Sequence, residues 1–314
     1  MNNKDKTNNV STMIRTNIYE DFSKIGPHFL MLQDRTRTGS YVKAIQETVK
    51  PGDTVLDIGC GTGIFSIISA QAGAGKVYAV EMTDIIHTAE EIAKINNVGD
   101  RVLFIKNDLR NVSLEEKADV IITETIGPFV MEEGIVEIVK FARDNFLKPG
   151  GKIIPEKVDL YVAPHSDKTL FDRLQEYTGF WKNGVYGLDF SPCVELISEE
   201  FLHKPYNWNI EEGFLCDKPK IVKKLNLYEE VETDFENEVV FTLKPRSAVY
   251  GFAGFFDVKL SEKTGFNTLP GSPLTHWMYP LFSLDEPMFP NDELTLGIRY
   301  EDKDKMWYLS ATSK

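Results

Sequence analysis

The chain has little of what would place it in several common classes. Only three of its 314 residues are cysteine, Cys60, Cys193 and Cys216. An odd count without C-x-x-C spacing argues against a disulfide scaffold and a structural zinc site, and suits a reducing compartment. No other metal-ligand set stands out. Positive charge is also scarce, with 35 Lys and Arg against 48 Asp and Glu, for a net charge of −13. A general nucleic-acid binder needs a basic surface to release phosphate counterions, so a cationic substrate is the better match. Long hydrophobic runs are missing as well. The charge-free window 58–75 holds five glycines besides Ser, Thr and Gln, and cannot be a membrane span. The opening MNNKDKTNNV lacks the apolar core of a signal peptide. The chain therefore reads as a soluble, cytoplasmic protein with neither nucleic acid nor membrane as partner.

What is present is a globular composition, 42% apolar and 26% charged, over a length that suggests two domains. Residues 1–12 read as a disordered polar tail. From Tyr19 to about Val49 the spacing of Phe29, Leu30, Leu32, Tyr41, Val42 and Ile45 is helical, and Pro51-Gly52-Asp53 stops it. Strands then alternate with helices: TVLDIG, a helix over 64–72, KVYAVE, a helix over 85–96, RVLFIK, ADVIITE, and a helix near Glu132–Phe146 ended by Lys148-Pro149-Gly150-Gly151. Such alternation predicts a mostly parallel sheet covered by helices, a doubly wound α/β domain over residues 13–154. After Gly151 runs such as KIIP, VDLYVAP, VVFTLKP and YGFAGFFDVKL predict a β-rich second unit from about residue 155. Asp167–Tyr177 has helical spacing and leads into GFWKNGVYG, an excursion from that sheet. The acid-rich stretch Tyr228–Glu238 reads as a solvated edge or loop.

The sharpest local signal is Asp57-Ile58-Gly59-Cys60-Gly61-Thr62-Gly63. A strand entering a glycine turn before a helix lets backbone N–H groups approach a ligand closely. A dinucleotide site wants G-x-G-x-x-G, but here Ile64 holds the last glycine's place. Asp57, directly before the turn, would repel a pyrophosphate and could hold an ammonium group, which favours S-adenosylmethionine over NAD. Glu81 ends the second strand, where a carboxylate can accept both ribose hydroxyls, and Asp108 follows the third strand near the expected adenine. Each acid alone could be an ordinary turn or cap residue. Their recurrence at successive strand ends is what points to a ligand.

Two further features lie outside that core. Glu124 closes ADVIITE, and Glu133 follows nine residues later. Two carboxylates beside a methyl donor could grip a planar guanidinium through paired, charge-assisted hydrogen bonds. Acids such as Glu132 and Glu133 are also ordinary in the first turn of a helix. The second feature is Thr275-His276-Trp277 in the β-rich part, where a His beside a Trp is more often packing than chemistry.

Together these pieces resemble the protein arginine methyltransferase family over nearly the whole chain. Met31-Leu32-Gln33-Asp34-Arg35-Thr36-Arg37-Thr38 is similar to its N-terminal helix motif, VLDIGCGTG with VYAVE to its cofactor motif, Glu124 and Glu133 to its double-glutamate loop. GFWKNGVYGLDF resembles the end of a dimerisation arm, and GFAGFFDVKL with LPGSPLTHW resembles its β-barrel and Thr-His-Trp loop. The resemblance implies a Rossmann-like S-adenosylmethionine domain followed by a β-barrel domain over 155–314, with an arm at about 166–188, and a homodimer anchored by Phe180, Trp181 and Tyr186. It implies that His28 and Arg37 close over the cofactor, that Gly59, Gly61 and Gly63 cradle it, and that Asp57 and Glu81 hold its amine and ribose. Glu124 and Glu133 would orient the guanidinium, His276 with Asp34 would carry away the proton, and Met31 and Trp277 would wall the pocket.

The chain departs from the family pattern at two places. Ile18-Tyr19-Glu20-Asp21-Phe22 stands where the family carries Tyr-Phe-x-x-Tyr, so at least one pocket hydroxyl is lost. Glu124-Thr125-Ile126-Gly127 replaces Glu-Trp-Met-Gly, removing an apolar wall beside an arginine stem. The acceptor implied is arginine, either in a peptide or as a free guanidino compound. Alternative readings are methyl transfer to another small amine or guanidine of natural-product metabolism, or a catalytically silent cofactor-binding partner. An NAD oxidoreductase is the poorest match because of Ile64.

Overall fold

The computed structural model describes residues 22–194, 196, 206–244 and 247–313. The expected tail of residues 1–12 and the stretch Ile18–Asp21 lie outside the described residues. The chain divides into two compact units. One takes the residues up to Glu124 together with Ile138–Glu156 and Lys259–Phe266, and the other takes Thr125–Glu137, Lys157–Val258 and Asn267–Lys314.

Among the described residues the first unit opens with two helices, α1 (Ile25–Gln33) and α2 (Arg35–Thr48), where periodicity alone predicts one. The break is Asp34, whose backbone is extended and whose carboxylate accepts the Arg37 N–H at 2.9 Å. A side-chain oxygen at a helix N-cap satisfies an amide that has no partner inside the helix, so Asp34 starts a new helix. Five parallel strands follow: β1 (Thr54–Ile58), β2 (Lys76–Glu81), β3 (Val102–Lys106), β4 (Ala118–Thr123) and β5 (Leu147–Ile154), in the order β3-β2-β1-β4-β5. Every β1 residue is buried, as expected of a parallel strand with both faces covered. Between the strands run α3 (Ile64–Gln71), α4 (Ile85–Ile95) and α5 (Ile135–Phe146). Leu56, Ile58, Tyr78, Val80, Ile121, Ala142 and Phe146 form one apolar cluster under them.

Two expectations about this region are corrected. Helix α5 starts at Ile135, not Glu132, because residues 131–134 form a turn in which Glu132 binds elsewhere. Lys148–Gly151 is not a loop but an irregular stretch of β5, between the pairs Ala118↔Leu147 and Val120↔Lys152, which makes KIIP part of the parallel sheet. Pro149 is tolerated there because β5 is an edge strand.

The second unit is built on antiparallel pairing. Strands β6 (Lys157–His165), β7 (Tyr206–Trp208), β8 (Lys220–Asn226), β9 (Phe235–Thr242), β10 (Val249–Lys259), β12 (Tyr279–Met288), β13 (Glu293–Glu301) and β14 (Met306–Ser313) supply the remaining sheets, while the short β11 (Gly265–Asn267) falls mostly in the first unit. One orders as β7-β12-β10-β6-β8 and a second as β14-β13-β9. Asn237 of β9 donates to the Val222 carbonyl of β8 at 2.7 Å, joining the two sheets, so the β-rich unit predicted by the sequence pattern takes the barrel-like form that the resemblance implies. Helix α6 (Thr169–Lys182) rises from the wall and continues five residues beyond Tyr177, with Leu170 and Leu174 buried against Ala253, Phe255 and Leu281. Among the described residues no helix is long and apolar enough to cross a membrane.

Trp307 is the centre of the second unit. It is fully buried, with ring centroids of Phe129 and Tyr300 each 4.7 Å away and those of Phe235 and Phe282 at 5.7 and 6.0 Å. Phe129 in turn lies against Gly254, where an added Cβ would meet the Phe129 and Pro280 rings at 2.8 Å. Neither ring is a flexible chain end that can swing away. Gly254→Ala is therefore expected to destabilise the second unit by about 1–3 kcal/mol, the ordinary cost of overpacking. Urea denaturation, with an unchanged slope and a lower midpoint, checks it.

Candidate active site

In the first unit the candidate side chains of the strands and glycine turn gather at the carboxyl ends of the parallel strands, where the order reverses at β1 and ligands of such sheets bind. Gly59, Gly61 and Gly63 have φ of +69°, +53° and +81°, which residues with a Cβ rarely adopt. At Gly61 space is limiting too, since a Cβ would lie 2.8 Å from the His28 ring. His28 is thus laid directly on the turn, and its Nε2 donates to the Phe22 carbonyl at 2.9 Å. Glu81 ends β2 and accepts from the amides of Gly61 (3.1 Å) and Thr83 (2.8 Å), one on each oxygen. Two backbone donors hold that carboxylate in one orientation.

Asp57 is buried at the fourth position of β1 and accepts the Ser66 hydroxyl at 2.6 Å. Burial pushes its carboxyl up to about 7, the Ser66 bond pulls back, and the charge of Glu81 adds to the rise. Asp108 caps a short 3-10 turn and pairs with the Arg110 guanidinium at 2.7 Å, which holds its carboxyl below the usual range.

Arg37 stands in the first turn of α2, placed there by the Asp34 cap, and forms an ion pair with Glu124, the residue after β4. Both side chains are only 6% exposed. The guanidinium also donates to the Met31 carbonyl at 3.3 Å and Thr38 Oγ1 at 3.2 Å, approaches Met31 Sδ at 3.7 Å, and lies 5.8 Å over the Phe65 ring. Tyr41 stacks on Phe65 at 4.9 Å and donates its hydroxyl to the Thr123 carbonyl at 3.1 Å, fixing the backbone that presents Glu124. The first unit thus brings His28 to the glycine turn and Arg37 to Glu124, with Asp34 and Met31 in contact with Arg37.

Glu133, His276 and Trp277 belong to the second unit. Trp277 is buried, donates to the Ile126 carbonyl at 3.0 Å and meets Phe256 edge-on at 5.3 Å, so it pins the loop that follows Glu124. His276 packs on Trp277 at 4.0 Å and remains partly exposed. Glu133 is exposed, whereas its neighbour Glu132 accepts from the Trp307 indole at 2.7 Å and the Phe129 amide at 2.9 Å. Burial raises the Glu132 carboxyl, against the pull of its hydrogen bonds. The loop also holds buried Val130 at φ +77°, a conformation that costs a β-branched residue about 1–3 kcal/mol. Tyr41, Ser66, Glu132 and Trp307 escape sequence reading.

Two family models match consecutive stretches of the chain. A family model described as ribosomal protein L11 methyltransferase matches residues 35–155, and one described as the arginine methyltransferase oligomerization subdomain matches residues 156–305. The chain is 36% identical to probable protein arginine N-methyltransferase 6 of Arabidopsis thaliana over 77% of its length and 56% of that protein's. It is 35% identical to probable protein arginine N-methyltransferase 6.1 of Oryza sativa subsp. japonica over 92% of this chain and 74% of that relative. It spans about half to three fifths of the length of several curated relatives, from 48% to 62%. Among solved structures, the Trypanosoma brucei PRMT1 enzyme-prozyme heterotetrameric complex with AdoHcy is similar over 93% of this chain and 95% of that chain, with 28% identity and a TM-score of 0.81.

The raised Asp57 carboxyl has a consequence for stability. Its folded value, about 7, exceeds its ordinary value of 3.8, so between these the folded state holds the extra proton. Stability from this group is present below pH 4 and declines as pH rises to about 7, by roughly a few kcal/mol. Ligand-free Asp57→Asn is expected to lose that downward slope, which thermal melts between pH 5 and 8 would reveal; an unchanged slope would contradict the assignment.

Proposed function

Since the chain belongs to the protein arginine N-methyltransferase family, we propose that it transfers a methyl group from S-adenosylmethionine to a guanidinium nitrogen of arginine, peptidyl or free. The observation that carries this reading is the Arg37–Glu124 pair. It shows a carboxylate at the end of β4 whose surroundings already accept a guanidinium. A carboxylate matched to a planar fork of N–H donors selects arginine-like groups over simple amines.

The residues present fit the cofactor. The glycine turn leaves no Cβ in the way at Gly61, Glu81 is preoriented by two amides, and Asp57 is a buried acceptor at the head of the turn. In this proposal Gly59, Gly61 and Gly63 cradle it, Asp57 receives its amine, Glu81 its ribose hydroxyls, and Asp108 lies toward its adenine. Arg37 and His28 close over it, with Arg37 exchanging Glu124 for the cofactor carboxylate. When bound, the cofactor supplies an electrophilic methyl group.

This chain's own work is then alignment. Glu124 and Glu133 accept the guanidinium N–H groups and concentrate electron density on the nitrogen that reacts. His276, with Asp34, takes up the proton that the methylated nitrogen loses. Met31 and Trp277 bound the acceptor's stem. Methyl transfer needs little covalent help, so holding donor and acceptor in line supplies much of the rate. Thr125 and Ile126, in place of the family's Trp-Met, leave that wall thinner, and both peptidyl and free acceptors stay within this reading. The three unpaired cysteines support a reducing, cytoplasmic setting.

A second copy is the proposed partner. Phe180 and Tyr186 are 54% and 100% exposed on and just after α6, beside the Tyr177–Trp181–Phe190 aromatic cluster, in the region matching an oligomerization subdomain. Exposed aromatics of this density are the usual anchors of an interface core.

Methyl-labelled S-adenosylmethionine offered with free L-arginine and an arginine-rich peptide tests the activity. Label on arginine alone identifies a small-molecule enzyme, and label on the peptide identifies a protein methyltransferase. No label on either, with cofactor binding intact, defeats the arginine assignment for these acceptors. Glu133→Gln is expected to lower kcat/KM about a hundredfold through loss of a charge-assisted bond while leaving cofactor affinity nearly unchanged. For assembly, sedimentation should report a dimer that dissociates on dilution, and Phe180→Ala with Tyr186→Ala should give monomer; a wild-type monomer at every concentration contradicts it.

A further inference from the structure

Between Glu124 and Glu133 the backbone follows a path that the loop's own residues do not favour. Gly127 and Val130 pair with each other, N to O at 3.2 and 3.0 Å, and Val130 takes a left-handed φ that β-branched residues rarely adopt. Contacts with the hairpin β13–β14 hold this path. The Phe129 ring packs on Trp307, the Tyr300 hydroxyl donates to the Met131 carbonyl at 3.1 Å, and Lys305 pairs with Glu137 at 2.9 Å. The tie nearest the acceptor carboxylate is Glu132. One of its oxygens takes the Trp307 indole N–H and the other takes the Phe129 amide.

We propose that Glu132 is the positioning residue for Glu133, locking the loop to Trp307 so that Glu133 is presented outward in one orientation. The inference rests on the reading of Glu133 as a guanidinium-binding carboxylate. Glu132 itself touches no substrate. Glu132 faces inward and Glu133 outward on consecutive residues, so fixing the first side chain fixes the Cα–Cβ direction of the second. Trp307 has no freedom to follow a moving loop, because it is fully buried among aromatic rings. A carboxylate is needed here because both partners are donors; an amide presents one acceptor and one further donor.

The experiment compares Glu132→Gln, Trp307→Phe, the double variant and Glu133→Gln in the full chain. Trp307→Phe keeps an aromatic ring and the negative charge of Glu132 but removes the N–H, whereas Glu132→Gln removes the charge. Acceptor KM is measured with labelled S-adenosylmethionine and whichever of L-arginine or arginine-rich peptide is methylated, and amide exchange over residues 127–134 by mass spectrometry. Both single variants should raise acceptor KM about tenfold with cofactor Kd within twofold, and loop amides should exchange about tenfold faster, near the worth of one charge-assisted bond. The double variant should be no worse than either single one, since both break the same bond. Losses that add, or a KM shift in Glu132→Gln alone, would overturn the positioning role in favour of a charge effect. Unchanged exchange in both variants overturns it without any turnover. Full activity in Glu133→Gln defeats the guanidinium reading itself, whereas an inactive Glu133→Gln beside unshifted KM in the other two defeats only the role of Glu132.

Discussion

The first unit depends on one buried ion pair. Arg37 and Glu124 are both nearly sealed from water, and neither could be buried alone. Everything around them serves to bring the two together: the Asp34 cap starts a helix so that Arg37 falls in its first turn, and Tyr41 ties the end of β4 so that Glu124 follows it in a set direction. A buried pair of this kind adds little net stability compared with apolar packing, because desolvation offsets most of the attraction. What the pair does secure is a carboxylate kept dry and charged at the end of β4.

The second unit rests on packing rather than charge. Trp307 organises Phe129, Tyr300, Phe235 and Phe282 around a rigid indole whose single N–H goes to Glu132. The loop after Glu124 is consequently shaped by β13 and β14, strands more than 150 residues away in sequence, which end only at Glu301 and Ser313. Trp277 acts the same way at the other end of the loop through the Ile126 carbonyl. The Thr-His-Trp segment thus has a structural role for its Trp before any chemistry is assigned to its His.

This division explains what was legible in the sequence. Local patterns were enough for the alternating strands and helices, the glycine turn, and acids at successive strand ends, because each depends on neighbours within a few residues. The parallel sheet and the β-rich second unit follow from them. Long-range partners left no local trace. Glu132 looks like any acid at a helix start, yet its position is decided by an indole 175 residues away. Lys148-Pro149-Gly150-Gly151 has the composition of a stop, yet pairing with β4 draws it into an edge strand. Asp34 belongs to a recognisable motif, but the apolar periodicity on either side runs on through it and hides the helix break it makes.

The charges at the strand ends carry the argument from fold to ligand class. Asp57, Glu81 and Glu124 stand at the ends of β1, β2 and β4, and Arg37 neutralises only the last. The strain of the arrangement is visible at Asp57, whose carboxyl is lifted by burial and by the charge of Glu81. A phosphate-bearing ligand would add negative charge to that set, and each added charge would raise the cost. A ligand with an ammonium and a sulfonium group, accompanied by an acceptor with a guanidinium, does the opposite and draws Asp57 back toward its ionised form. Acids grouped in this way at the strand ends are therefore better placed for a cationic ligand than for a pyrophosphate.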